Sequence, residues 1–433
     1  MKNNLNYKRI IQTAVYLIML CAVLLLLSAC TDFTEGQELS SANLDEAVII
    51  VSCEICENCE ECENCEYCEN LELVAIIREE AEQDNVAAQA LLAGIYIGKD
   101  NIEQAVYWFT RGSELGNSEV QFILGLMYLD EPSLARDIEQ AVYWLTRSAD
   151  QDFAMAQTAL DAIQGDAIAQ NRLGLTYLDG LVVLQNYERA MYWFRKSAIQ
   201  NDAAAQINLG NMYREGQGVE QSYEQAIYWY RRAVEQDIVF AQHNLGLMYY
   251  NGQGVERNFE QAAYWFRKAA DQGYDSSQYH LGFLYYDNQG VERNFEQSEY
   301  WFRKAAEQGY AMAQYNLGFQ YLRGQGVPQN HEQAEYWFRK AVIQGNAFAQ
   351  NNLGEMYFLG LGVTQSYEQA AYWFREAAEQ SNSSAQNNLG WMYHNGLGVE
   401  QSYEQAAYWY KRAIAQGNVR AQANLAALPA QYR

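Results

Sequence analysis

A repeat of 36 residues constrains the fold of this chain more than any other feature of its sequence. A Leu-Gly pair and a Tyr-Trp pair each recur seven times at this spacing, in fixed register with one another. Self-similarity at such a period predicts a solenoid, in which each repeat buries its apolar surface against its neighbours. The glycines of the first pair, called marker glycines below, are Gly174, Gly210, Gly246, Gly282, Gly318, Gly354 and Gly390.

Each repeat divides into two amphipathic helical stretches, here called the first and the second helix. In the repeat around Gly246, residues 239–250 place Ala241, Leu245 and Met248 on one helical stripe. The following Asn-Gly pair ends this helix, because glycine adopts the left-handed conformation common at helix C-termini. A capping residue with Gln or Glu three positions later opens the second helix. Its apolar stripe consists of Ala262, Trp265, Phe266 and Ala269.

The motif of the repeat is specific enough to indicate a family. The pattern A-x-x-x-L-G-x-x-Y-x-x-G-x-G-V, followed by A-x-x-W-[FY]-x-[KR]-A and A-x-x-Q-G, resembles that of the Sel1-like repeats. These repeats are similar to tetratricopeptide repeats but slightly longer. The resemblance implies that residues 71–433 form an all-α fold, an α/α right-handed superhelical solenoid of about nine repeats with capping helices. It also implies a non-enzymatic scaffold that binds a protein or peptide partner.

The array has three predicted irregularities. Leu71 to Asp84 is predicted to form a capping helix before the first repeat. The tryptophan spacing between the second and third repeats is 49 rather than 36 residues, which predicts an irregular junction near residues 157–170 where the superhelix bends. At the other end, residues 421–428 are predicted to form a final first helix that caps the C-terminus, with Ala426 in place of the marker glycine.

The N-terminus predicts export. A basic start and an apolar run over residues 14–27 are typical of a secretory signal, here residues 1–29. The small residues before Cys30 resemble a bacterial lipobox, which implies cleavage before Cys30, lipidation of that cysteine and a membrane anchor. The alternative is an uncleaved membrane anchor. Thr31 in place of Asp implies, by resemblance to Gram-negative lipoproteins, an outer-membrane lipoprotein in the cell envelope that faces the periplasm.

The signal is followed by a predicted tether, residues 30–52, and by a low-complexity Cys-Glu-x segment, residues 53–70. Three interpretations of the cysteines remain open. An even number of cysteines in an exported chain favours disulfides, stacked C-x-x-C pairs resemble half-sites for Zn or Cu(I), and the triplet can be a tandem expansion without a role. The cysteines are Cys53, Cys56, Cys59, Cys62, Cys65 and Cys68.

The positions that differ between repeats are the candidates for function. The first helix varies at three positions, which lie three residues before, one residue after and four residues after the marker glycine. Its core positions are nearly constant. We call these varying positions the first-helix face. In similar superhelices the first helices line the concave surface, so we expect a partner-binding groove; the alternative is that the aromatic residues pack against an adjacent turn. The candidate residues are His243, Leu247, Tyr250, Tyr279, Phe283, Tyr286, Tyr315, Phe319, Leu322, Trp391 and His394.

Charge and motifs argue against other classes of function. The formal charge of −25, with 12 acidic and no basic residues between positions 31 and 70, is unlike a nucleic-acid-binding protein, since phosphate contacts require Lys and Arg. The sequence contains no H-E-x-x-H or G-x-S-x-G motif and indicates no catalytic residue and no cofactor. The remaining alternative function is a metal-binding or redox-active lipoprotein that uses the cysteine segment, with the solenoid as docking arm.

Overall fold

The structure, a computed structural model, describes residues 66–99, 101–130 and 137–433. Over these ranges it contains 21 α-helices and one short 3-10 helix but no strand, which confirms the predicted all-α fold. The helices form two compact units, of which one ends at Trp229 and the other begins at Tyr230.

The first unit contains one helix ahead of the repeats, followed by helices that alternate between first and second type, with one addition described below. These helices are α1 (Glu66–Glu82), α2 (Val86–Gly98), α3 (Ile102–Glu114), α4 (Ser118–Asp130), α5 (Ile138–Ala149), α6 (Ala154–Gln164), α7 (Ala167–Asp179), α8 (Tyr187–Ile199), α9 (Ala203–Glu215) and α10 (Tyr223–Val234), within which the first unit ends and the second begins.

The second unit continues the alternation, so that odd-numbered helices are first helices and even-numbered helices are second helices. They are α11 (Val239–Asn251), α12 (Phe259–Asp271), α13 (Asp275–Asp287), α14 (Phe295–Glu307), α15 (Ala311–Arg323), α16 (His331–Ile343), α17 (Ala347–Leu359), α18 (Tyr367–Glu379), α19 (Ser383–Asn395), α20 (Tyr403–Ala415) and α21 (Val419–Ala426), with the 3-10 helix Ala430–Tyr432 at the end.

Local sequence explains where these helices begin and end. Helix α11 ends one residue later than predicted, and Gly252 follows it at φ 70°, in the left-handed region that glycine adopts without strain. Helix α12 begins after Asn258, whose Oδ1 accepts a hydrogen bond of 2.9 Å from the backbone N–H of Gln261. The predicted capping residue thus satisfies one of the free N–H groups of the first turn.

The marker glycine is a packing position. A Cβ atom on Gly246 would lie 2.6 Å from Cδ1 and Cε1 of Phe266, the fully buried ring of the following second helix. The equivalent ring of Phe302 lies against Gly282, and that of Tyr410 against Gly390. The glycine therefore lets the two helices of one repeat approach until the ring lies against the backbone.

A ladder of glutamine side chains joins consecutive repeats. The amide nitrogen of Gln278, which is 2 % exposed, donates to the carbonyl of Ala270 at the end of the preceding second helix (3.2 Å). Its carbonyl oxygen accepts from Nε2 of Gln308, the residue directly after the following second helix (2.8 Å). One buried side chain thereby connects three helices with both of its polar ends paired, which is the condition for burying an amide at low cost.

A second ladder lies closer to the surface. The tyrosine three residues after the marker glycine accepts a hydrogen bond from the arginine two residues after the tryptophan of the preceding repeat. In the second unit these pairs include Arg231 with Tyr249 (3.0 Å), Arg303 with Tyr321 (2.6 Å), Arg339 with Tyr357 (2.5 Å) and Arg375 with Tyr393 (2.9 Å).

The extra residues between the second and third repeats form a helix. Helix α6 covers most of the segment predicted as an irregular junction at residues 157–170, and Gly165 ends it at φ 106°. Ala156, Ala159 and Leu160 are buried in the core of the first unit. The interruption of the repeat therefore adds a packed helix between α5 and α7 in chain order.

The helices at the two ends of the array have other bounds than predicted, since α21 spans Val419–Ala426 rather than residues 421–428. Helix α1 begins at Glu66, five residues before the predicted start of the capping helix, and therefore includes the backbone of Cys68. At the other end, Ala426 is exposed. Among the described residues only the 3-10 helix follows α21, so no second-helix ring packs against this position and a glycine is not required there.

Candidate functional site

The first helices place the repeated residues in the core. In α11, Ala241, Leu245 and Met248 are at most 1 % exposed. The three positions of the first-helix face lie on the other side of these helices, as the helical period of 3.6 residues requires. Their surroundings decide whether they line an open groove.

The residues three positions before the marker glycine bridge neighbouring repeats. The Nδ1 atom of His243 lies 2.8 Å from Oγ of Ser277 in the next first helix. The ring of Tyr279 lies 5.1 Å from that of Tyr310, which immediately precedes α15. The ring of Tyr315 lies 5.7 Å from that of Phe348 in α17. These side chains pack between repeats.

Burial shifts the pKa values of side chains that pack between the repeats. It raises the pKa of the Tyr279 and Tyr315 hydroxyls and lowers the pKa of His280 from 6.5 to about 4. The His280 ring is stacked on Phe266 at 4.9 Å, and its centroid lies 5.7 Å from that of His243. Both histidines are therefore packed among aromatic rings, and His280 is neutral near pH 7 because burial disfavours its charged form.

The residues four positions after the marker glycine are held within their own repeat. Four of them pack a ring against the aromatic residue in the first position of the following second helix. The pairs and their centroid distances are Tyr250 with Phe259 (5.4 Å), Tyr286 with Phe295 (5.5 Å), Phe358 with Tyr367 (5.3 Å) and His394 with Tyr403 (5.7 Å).

Most of the predicted groove is consequently half-buried, and the side chains contact one another. His243 is buried, with 8 % exposed, which corrects its assignment as an accessible groove residue: the Ser277 contact and the surrounding rings cover it. Of the eleven candidate residues, all of them described, Trp391 alone is exposed (37 %). The half-buried candidates are Leu247, Tyr250, Tyr279, Phe283, Tyr286, Tyr315, Phe319, Leu322 and His394.

Trp391 lies beside a cavity of about 420 Å³ within the second unit. Its ring meets that of Phe358 edge to face, with centroids 5.6 Å apart. Leu359, also in the lining, is 59 % exposed. Such an aromatic surface with polar groups nearby is typical of a site that binds a side chain or a small ligand.

Polar side chains complete the lining of this cavity. They are Glu355 from α17, Asn387 and Asn388 from α19, and Arg420 from α21. The sequence pattern placed Glu355 and Asn387 at varying positions, but it missed Asn388, Leu359 and Arg420, because these lie one residue outside the template or in the terminal helix. A comparison of exposed positions around Trp391 on adjacent first helices would have indicated them.

Two predicted sites lie outside the described residues. They are the lipidation site Cys30 and the cysteine segment from Cys53 to Cys65; of that segment only Cys68 falls in a described helix, and its side chain is not described. Among the described residues, no group of three His, Cys, Asp or Glu side chains is arranged to hold a metal ion. No described helix combines the length and apolar character needed to span a bilayer.

Comparison with known families identifies the repeat. A sequence model described as the Sel1 repeat matches nine segments, which agrees with the solenoid of about nine repeats expected from the sequence. The segments matched by the Sel1 repeat model are residues 83–117, 118–153, 167–202, 203–238, 239–274, 275–310, 311–346, 347–382 and 383–418. A separate search of curated proteins finds no match to the chain.

Two solved structures illustrate the similarity. The crystal structure of a Sel1 repeat protein from Oxalobacter formigenes is 30 % identical, with a TM-score of 0.55, and the alignment covers 75 % of this chain and 90 % of that chain. The structure of c5321, a protective antigen present in uropathogenic Escherichia coli strains that displays an SLR fold, is 31 % identical with a TM-score of 0.34, and the alignment covers 83 % of this chain and 91 % of that chain.

Proposed function

The chain belongs to the Sel1 repeat family, and on this premise we propose that it is a non-enzymatic scaffold that binds a protein or peptide partner through its first-helix face. Sel1 repeat solenoids typically serve as protein-interaction scaffolds. The proposal assigns the binding surface to the C-terminal part of this face, around Trp391.

The exposed Trp391 beside its cavity is the observation that carries this proposal. Elsewhere on the face, large side chains fill the spaces between repeats and contribute to packing. Around Trp391 an exposed indole and the exposed side chain of Leu359 line an open volume of about 420 Å³. Exposed Trp residues with apolar neighbours are enriched among the side chains that contribute most to protein interfaces.

No catalytic role is proposed for any described residue. His243 and His280 pack between helices, and their surroundings provide apolar rings. The proposed activity is therefore recognition, in which the array holds a binding surface in a fixed geometry.

We also propose that the chain is an envelope lipoprotein of the outer membrane, anchored through Cys30 and facing the periplasm. The signal pattern of residues 1–29 and the small residues before Cys30 support this assignment. We expect radioactive palmitate to label the wild-type chain and not the Cys30→Ser variant. Palmitate incorporation into Cys30→Ser at the wild-type level would contradict the assignment, and Thr31→Asp is expected to redirect the labelled protein to the inner membrane.

Site-specific cross-linking tests the location of the binding surface. A photo-activatable amino acid is introduced at Leu359, and the matched control places it at Tyr372, which is 46 % exposed on the second helix α18. We expect a cross-linked partner from position 359 in cells and none from position 372. Cross-linking from Tyr372 alone, or equal yields from both positions, would place the partner elsewhere and contradict the proposal.

A further inference from the structure

The cavity beside Trp391 carries opposite charges on the helices that flank α19. Glu355 extends into it from α17, the preceding first helix, and Arg420 from α21, the following one. The buried side chains of Phe374 and Met392 line the cavity from the core, and Trp391 with Phe358 provides aromatic walls. The cavity is thus apolar at its centre, with one anion and one cation in its lining.

Both charges are available to a ligand. The Oε1 atom of Glu355 accepts a hydrogen bond of 3.0 Å from Nδ2 of Asn351, which orients the carboxylate and leaves Oε2 for another donor. Arg420 is exposed, and among the described residues no carboxylate lies within ion-pair distance of its guanidinium. A guanidinium of this kind favours a carboxylate partner, because it can donate two parallel hydrogen bonds.

A row of amide side chains extends across the same three helices. Nδ2 of Asn388 donates to Oδ1 of Asn351 (3.1 Å), and Nδ2 of Asn424 donates to Oδ1 of Asn387 (2.8 Å). Within the described chain this leaves Nδ2 of Asn387 as a donor and Oδ1 of Asn388 as an acceptor without a protein partner, both in the cavity lining. Such a pair matches the N–H and C=O groups of an extended peptide backbone.

We propose that this cavity binds an extended internal segment of a protein in which a large apolar side chain lies between a basic and an acidic side chain. The apolar side chain contacts Trp391, the basic one pairs with Glu355 and the acidic one with Arg420. Because the amide row continues on both sides of α19, it suits a backbone that passes through the site better than a chain end. This inference rests on the proposed function and specifies the chemistry of the partner.

Synthetic peptides test the proposal with the purified full chain. The probes are fluorescent, acetylated and amidated nonapeptides with a central Phe flanked at one to three residues by Lys on one side and Glu on the other. Matched peptides carry two Lys, two Glu or two Ser. By fluorescence anisotropy we expect the mixed-charge peptides to bind about 10-fold more tightly than the others, as one charge-assisted hydrogen bond would give.

Charge reversal in the protein provides the decisive comparison. Arg420→Glu is expected to shift the preference to the peptides with two Lys, and Glu355→Arg to those with two Glu, because specificity follows the repulsive as well as the attractive partner. Glu355→Gln is the more conservative variant and is expected to lose the preference for Lys. Circular dichroism melting establishes that each variant is folded before its affinity is compared.

Three outcomes would overturn the inference. These are equal binding of the mixed, basic, acidic and neutral peptides, binding only to peptides with a free C-terminal carboxylate, or no binding of any probe at roughly 1 mM, the weak limit of specific recognition. Cross-linking from Leu359 is a separate result: if it succeeds while the peptides fail, the binding face stands and only the ligand chemistry assigned here is wrong.

Discussion

At the level of single residues, two histidines in adjacent first helices depart from the repeat pattern and interact with each other. His243 replaces a position that is Asn in three other repeats, and His280 replaces one that is Asn in most of them. Ser277, the hydrogen-bond partner of His243, itself stands where the neighbouring repeats have alanine. Three departures from the pattern therefore occur together at one interface between repeats.

This histidine cluster predicts acid sensitivity. Because burial lowers the pKa of His280 to about 4, the unfolded chain binds an additional proton between pH 4 and pH 6.5, its ordinary pKa. The free energy of unfolding should therefore fall as the pH is lowered through this window, by up to about 3 kcal/mol. Urea denaturation at pH 7, 5.5 and 4 measures the change.

The matched control for this prediction is His280→Asn, which restores the residue found at the equivalent position of the neighbouring repeats. Carboxylates titrate in the same range, so the informative quantity is the difference between the two proteins. We expect the variant to lose less stability on acidification than the wild type. Parallel pH profiles would show that His280 is not the responsible group.

The contact between the marker glycine and the buried ring gives a second prediction at this scale. Gly246→Ala would bring a methyl group to 2.6 Å from Phe266, and overpacking of this kind costs about 1–3 kcal/mol even though alanine favours helix formation. Phe266→Leu should relieve the clash, so the double variant is expected to lose less stability than the sum of the single variants. Strictly additive losses in urea denaturation would contradict this contact.

The sequence shows which positions vary, but not where a varying side chain goes. Tyr279 and Tyr315 vary because each repeat fills the space to its neighbour with a different ring, and this cannot be distinguished from a binding surface without the distances between helices. The same limit applies to the core. Gln320 replaces methionine and Ser298 replaces alanine, and only the structure shows that these two residues are paired, by a hydrogen bond of 3.1 Å from Gln320 to Ser298.

At the level of helices, the sequence predicts more, because capping residues and glycines define boundaries locally. The bounds of α11 follow from its apolar period and from Gly252, to within one residue. The extra helix α6 was not predicted as a helix, since its 11 residues contain neither marker of the repeat. The helix is stabilised by packing instead, because its Ala156, Ala159 and Leu160 are buried against neighbouring helices.

The glutamine ladder gives a prediction about how helices of consecutive repeats are joined. Gln278→Leu keeps most of the volume but removes two hydrogen bonds, the one from Gln278 to the carbonyl of Ala270 and the one from Nε2 of Gln308 to Gln278. Each such hydrogen bond contributes about 0.5–1.5 kcal/mol, so the free energy of unfolding should fall by about 1–3 kcal/mol. Urea denaturation of the full chain provides the measurement.

The chain contains its own control for the ladder. Gln422 occupies the equivalent position in α21, which is followed in the described chain only by a 3-10 helix, and its side chain is exposed. We expect Gln422→Leu to change stability by no more than about 0.5 kcal/mol, the usual range for surface substitutions. If both variants lose the same stability, the ladder does not contribute to joining repeats.

For the molecule as a whole, the repeat array explains why the ends differ from the centre. Each internal repeat is stabilised by neighbours on both sides, whereas a terminal repeat has a neighbour on one side only, so an array requires caps. In the second unit this cap is α21 with the residues after it. Ala421 and Leu428 are fully buried against the last second helix, α20, whose Tyr410 ring is also inaccessible.

Removal of residues 419–433 should therefore destabilise the last repeat selectively. Loss of the buried Leu428 alone removes roughly 1.5–3 kcal/mol of apolar burial, and amide hydrogens of α20 are expected to exchange at least about 10-fold faster, while those of α14 remain unchanged. A shorter deletion of residues 430–433 keeps the buried Leu428 and loses the Tyr432 ring, 5.5 Å from Tyr403, and the hydrogen bond from Nε of Arg433 to the carbonyl of Leu428, so it should have little effect. Equal amide exchange rates in α20 for the two deletions would contradict this prediction, because the last repeat would then not depend on α21 for its stability.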